Sequence, residues 1–176
     1  MNRAGSWTTM TARTEFDPLT EFAEIERLVS KVYFRFSHLF LNHPELRDFW
    51  WQMALDEEGH AAILLACKEM SAGYPEGPLD PLISRDKVGQ LEARIRAYLD
   101  RGTPSISVEE AFRIAVEIET SEIDLIYGKL VCLGGPEIAK LMEGLGSPAG
   151  AQKEKLKLAL HKFCKDPKLL RAAERL

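Results

Sequence analysis

A carboxylate and an imidazole stand where two core residues belong. Leu46, Phe49/Trp50, Met53, Glu57, His60, Leu64 and Cys67 recur at three-four spacing, which is one face of one helix. That face has to be buried, so Glu57 and His60 are buried with it. An ionised carboxylate taken out of water without a partner costs several kcal/mol or more. A buried Glu-x-x-His pair therefore needs a positive partner, and a metal ion is the simplest one.

The same violation recurs in two other segments. Phe22, Glu26, Val29, Val32/Tyr33, Phe36 and Phe40 form an apolar seam that carries Glu26 in line. Val108, Phe112, Ala115, Glu119, Glu122, Ile126 and Leu130 form another, carrying two carboxylates three residues apart. One such residue could be an ordinary flank position, whereas three helices carrying them together point to a shared interior site.

The pattern of periodic runs and breakers predicts an all-α chain. A first long helix is expected over residues 18–41, with Asp17 as N-cap ahead of a first-position proline. Asn42-His43-Pro44 is a tight connection to a second helix over 44–72, and Gly73 to Pro78 is a breaker. A shorter helix over 86–100 turns Val88, Leu91, Ile95 and Tyr98/Leu99 to one side, as a cover within a long crossover. Ser107-Val108-Glu109-Glu110 reads as a capping box that opens a third long helix ending at Leu133, before Gly134-Gly135-Pro136. Residues 137–145 read as a short helix interrupted at 144–148. A last helix is expected over 149–165, with Leu156, Ala159/Leu160 and Phe163 as its apolar face. The expected layout is a flexible tail at 1–16, one helical domain at 17–165 and a C-terminal extension at 166–176.

With 176 residues the chain can bury a substantial single core. Its 28% charged residues and formal net charge of −4 argue against nucleic acid or an anionic membrane surface as partner. No apolar run approaches the ~18 residues needed to cross a bilayer. Cys67, Cys132 and Cys164 are isolated, which suits a reducing cytoplasm and excludes a rubredoxin-type iron site or zinc ribbon within this chain.

Register links the first two helices. Glu26 lies sixteen residues before Asn42 and Glu57 fifteen after it. In an antiparallel hairpin rising 1.5 Å per residue the two are level to within ~2 Å. Their carboxylates can then face one point in the interior.

On Glu26, Glu57-x-x-His60, Glu119 and Glu122, the chain resembles the ferritin-like superfamily, close to its rubrerythrin branch, over residues 19–163. The resemblance implies an antiparallel four-helix bundle with a long helix-containing crossover between the second and third helices. It also implies a carboxylate-bridged di-iron centre. The first and third helices would each give a glutamate, Glu26 and Glu119, and the second Glu57 with His60. Glu122 would be the extra carboxylate of rubrerythrin-like proteins, and Tyr33 and Tyr127 resemble the aromatics packed beside their ligands. The fourth helix departs from the pattern: His161 has Leu158, not a glutamate, three residues before it. If that helix began directly after Gly135, the residue level with Glu119 would fall near Gly150. His161 reaches the site only if residues 137–150 are largely a looped insertion.

The expected ligand set is therefore Glu26, Glu57, His60, Glu119, Glu122 and His161, with Glu26, Glu57, His60 and Glu119 carrying the chemistry. It suits two iron ions, with manganese or zinc as alternatives. A single-metal site built mainly by the first three helices comes second. The resemblance implies an oxidoreductase that oxidises ferrous iron or reduces dioxygen or hydrogen peroxide. A separate electron-donor protein and a homodimer are expected with it. The competing reading is a degenerate bundle, with one metal or none, that serves as a binding or structural protein. His38, His43, Glu58 and Glu117 are expected at the surface.

Overall fold

The computed structural model describes residues 16–70, 81, 83–100, 105–133, 135, 136, 140, 149–174 and 176. The expected tail up to residue 15, the break at 73–78, and the short helix at 137–145 with its interruption lie outside the described residues, Lys140 excepted. Among the described residues every regular element is a helix and none is a strand.

Helix α1 (Pro18–Leu39) begins where the sequence supplies a cap. Asp17 accepts the Thr20 N–H at 3.3 Å and the Thr20 hydroxyl at 2.7 Å, and Pro18 occupies a position whose N–H has no helical acceptor. A short turn leads into α2 (Pro44–Met70). The Ser30 hydroxyl donates to the Ala54 carbonyl at 3.0 Å, Tyr33 stacks on Trp50 at 5.8 Å, and Lys68 reaches back to Asp17 at 2.6 Å. These pairs advance along α1 as they retreat along α2, so the two helices form an antiparallel hairpin.

Helix α3 (Arg85–Asp100) buries Val88, Leu91, Ile95 and Tyr98 and lies against α1. Arg35 of α1 donates to the Tyr98 and Leu99 carbonyls at 3.3 and 2.6 Å, satisfying acceptors at the α3 C-terminus that have no helical donor.

The third long helix expected from Ser107 to Leu133 is instead two. Helix α4 (Val108–Glu119) starts at the Ser107 cap, whose hydroxyl accepts the Glu110 N–H at 3.1 Å. It ends at Thr120, whose hydroxyl donates back to the Val116 carbonyl at 2.6 Å, while the Ser121 hydroxyl accepts the Ile123 N–H. Serine and threonine offer the backbone local alternatives to the helical ladder, and two in succession break it here. Helix α5 (Ile123–Leu133) then runs on. Gly135 follows at φ +90°, a left-handed conformation that glycine adopts without Cβ strain.

Helix α6 (Ala149–Phe163) buries Gln152, Leu156, Ala159 and Leu160. The segment expected as an extension forms α7 (Pro167–Ala173), capped by Asp166, with Leu169 and Ala173 in the same core as the other helices. No described helix is long and apolar enough to cross a membrane.

The core has an aromatic centre. Trp50 is fully buried, with its ring centroid 4.6 to 5.8 Å from those of Phe49, Phe112, Phe36 and Tyr33. Trp50→Ala is expected to cost about 3–5 kcal/mol by leaving a cavity among α1, α2 and α4. Urea unfolding followed by far-UV circular dichroism checks this, and a loss under about 1 kcal/mol would contradict the packing described.

Candidate metal centre

Two turns of α1 from this aromatic centre, the buried seams turn acidic. Glu26 lies on the α1 seam four residues after Phe22, and Glu57 and His60 lie one α2 turn apart. All three are at most 3% exposed. One potential ligand atom from each can be chosen so that all lie within 4.8 Å of one another. His60 Nδ1 is 3.0 Å from Glu57 Oε2.

Glu119, at the end of α4 and 2% exposed, sits beside this group. The Tyr33 hydroxyl donates to its Oε1 at 2.7 Å. Gln152 of α6 reaches the same place: its Nε2 is 2.5 Å from Glu57 Oε1 and 3.5 Å from Glu119 Oε1. Asp124 of α5 is half-buried nearby and pairs with Lys153 at 3.0 Å. The half-buried Tyr127 ring packs against the His60 ring, centroids 4.7 Å apart and tilted by 40°. The side chains that meet here thus come from α1, α2, α4, α5 and α6.

Burial sets the electrostatics. Glu26 is held well above the usual carboxylate range, first by loss of water and then by the charge of Glu57 and a hydrogen bond with it. Glu119 is likewise held well above that range by burial and by Glu57 and Asp124, against the opposing Tyr33 hydroxyl and Lys153 charge. Burial also raises Asp124, opposed by Lys153.

Two expected ligands are elsewhere, and each has a physical reason. Glu122 pairs at the surface with Lys87 of α3. The break at Thr120–Glu122 removes the one-turn relation to Glu119 and brings Asp124 inward instead. His161 is about half exposed, with Nε2 3.3 Å from a Glu174 oxygen. It is one position past Leu160 on α6, off the seam of Gln152, Leu156 and Leu160. Leu158 is 63% exposed, so a carboxylate at that position would not have faced the interior.

Comparison with protein-family models, with curated proteins and with solved structures returned no significant match. The site's chemistry is therefore read from its own residues.

Sequence reasoning missed Gln152 and Asp124. Gln152 carries no charge and stands one turn ahead of Leu156, the first residue of the apolar face that the sequence pattern predicts. Carrying that seam back four residues finds it. Asp124 had no signal, because only the helix break turns it inward. His38, His43, Glu58 and Glu117 are all exposed, Glu117 accepting a hydrogen bond from the Tyr98 hydroxyl at 2.7 Å.

The ligand set fits one divalent ion better than two. Glu26, Glu57 and His60 offer two hard oxygens and an imidazole at one point, and two carboxylates balance a dication. Six ligands for two ions are not gathered here, since Glu122 and His161 are away and a neutral amide lies between Glu57 and Glu119.

The raised Glu26 and Glu119 predict how metal-free protein responds to pH. A carboxylate whose folded pKa exceeds its unfolded one contributes stability at pH below the unfolded value, near 4.5, and loses it as pH rises through the folded value. With chelator present, the urea midpoint should fall between pH 5.5 and pH 8, and Glu26→Gln should flatten the fall. A midpoint that rises over that interval would contradict these shifts.

Proposed function

We propose that this chain is a metal-binding, ferritin-like helical protein that holds one iron or manganese ion on Glu26, Glu57 and His60 and acts as an oxidoreductase. The observation that carries the metal reading is the convergence of three buried ligand side chains from two helices within 4.8 Å. The order of elements supports the ferritin-like part: a long antiparallel hairpin, a helix-containing crossover, then further helices that turn polar side chains toward the same depth.

Iron bound here would supply one-electron chemistry toward dioxygen or hydrogen peroxide, the remaining electrons coming from a separate donor protein. The chain's own residues prepare the place. Trp50, Phe112 and the α1 seam exclude water on one side. Tyr127, half-buried, packs its ring against His60 and helps hold the imidazole in place. Tyr33 fixes one oxygen of Glu119, so that this carboxylate stays beside the ligand triad without joining it.

The second reading is a bundle that binds metal without redox turnover. Gln152 favours it, since an amide stands where a further anionic ligand would promote a higher oxidation state. Ferrous iron added without air and then exposed to air separates the two. The oxidoreductase reading expects about one iron per chain, followed by new near-ultraviolet absorption on aeration. Metal bound with no spectral change supports the binding-only reading.

Glu57→Ala and His60→Ala should each weaken binding of manganese, titrated by calorimetry, by at least about tenfold, since loss of a group that merely orients a ligand already costs 10–100-fold. His161→Ala and Glu122→Ala should leave it unchanged. Equal binding by wild type and Glu57→Ala would remove the metal reading.

A further inference from the structure

Helix α6 turns a neutral side chain into the acidic interior, next in sequence to the lysine that pairs with Asp124. Gln152 is 1% exposed, and its side chain points between Glu57 and Glu119. Its amide nitrogen faces an oxygen of each. Nitrogen is the end of the amide that suits this position, because a carbonyl oxygen turned toward two carboxylate oxygens would face like partial charge.

We infer that Gln152 sets the number of ions at this site, its N–H groups standing where a second cation would otherwise bridge Glu57 and Glu119. This rests on the metal reading proposed above. Two buried carboxylates facing one another need donors or a cation between them. Tyr33 gives one donor to Glu119 Oε1 and Gln152 gives donors to both residues, so the space is satisfied without a second ion. A metal bridging the two carboxylates would need oxygens at about 2.0–2.2 Å from it. Nε2 carries hydrogens and cannot be such a ligand. Glutamate at 152 has the same length and shape but turns an oxygen and a negative charge into the gap. Three carboxylates around one point then match what a second dication requires.

The test is stoichiometry together with magnetic coupling. Wild type, Gln152→Glu and Gln152→Leu are loaded with manganese, desalted, and analysed for metal per chain and by electron paramagnetic resonance. Wild type should hold about one ion, with the signal of an isolated manganese. Gln152→Glu should hold about two, with the altered signal of an exchange-coupled pair, and Gln152→Leu, which removes the donors without adding charge, should not exceed one. If Gln152→Glu is unstable without metal, it is purified with manganese present. Its melting temperature should then rise on saturation by more than that of wild type. Two coupled ions in wild type would overturn the inference while leaving the metal reading intact, as would a folded Gln152→Glu that stays at one. No metal in wild type would overturn the metal reading and the inference with it.

Discussion

The structure depends on burying Glu26, Glu57 and Glu119 at one depth with little positive charge beside them. Among the described residues, His60 pairs with Glu57, and Lys153 pairs with Asp124 while its charge also reaches Glu119. The other described groups at this level are donors or walls: the Tyr33 hydroxyl, the Gln152 amide, the Tyr127 ring. Such an arrangement is expensive in an apolar interior, and a domain's net stability of 5–15 kcal/mol leaves little room for several unpaired buried charges. The acids must therefore hold protons or share a cation. The raised Glu26 and Glu119 are the first solution, and metal binding would be the second.

The aromatic cluster around Trp50 is what lets the acidic level persist. It lies two turns along the same α1–α2 hairpin and closes the space among α1, α2 and α4 with large rings. Tyr33 belongs to both levels, its ring on Trp50 and its hydroxyl on Glu119. Packing thereby fixes the phenol, and the phenol fixes a carboxylate. A polar interior that had to orient itself would lose this precision to side-chain entropy.

What the sequence revealed and what it hid follow from one distinction. Positions fixed by period alone were legible. Glu26, Glu57 and His60 sit on unbroken seams joined by a short turn, so spacing and register place them together. Positions that depend on where a helix breaks were not. Thr120 and Ser121 end α4 through local hydrogen bonds that compete with the helical ladder, and a shift of phase follows. The phase shift sends Glu122 to Lys87 and brings Asp124 in. On α6 the error was different in kind: His161 drew notice because it can bind metal, yet it lies off the seam, while a glutamine that can only donate lies on it. A helix beginning directly after Gly135 would have put Gly150 level with Glu119; α6 begins at Ala149 instead, and Gln152 is the residue it turns toward Glu119.

The amide on α6 also bears on why the helix break is tolerated. With Gln152 neutral, Glu119 needs no partner carboxylate one turn further along α4, and the backbone is free to end there. An acid at 152 would add charge that only another cation could balance, and Glu122, held at the surface by Lys87, is too far from the interior to help hold it. The break in the third helix, the pairing of Glu122 with Lys87 and the amide on α6 are thus mutually consistent. Each removes a demand for a second ion that one of the others would otherwise leave unmet, and together they leave Glu26, Glu57 and His60 as the place where the proposed cation would sit.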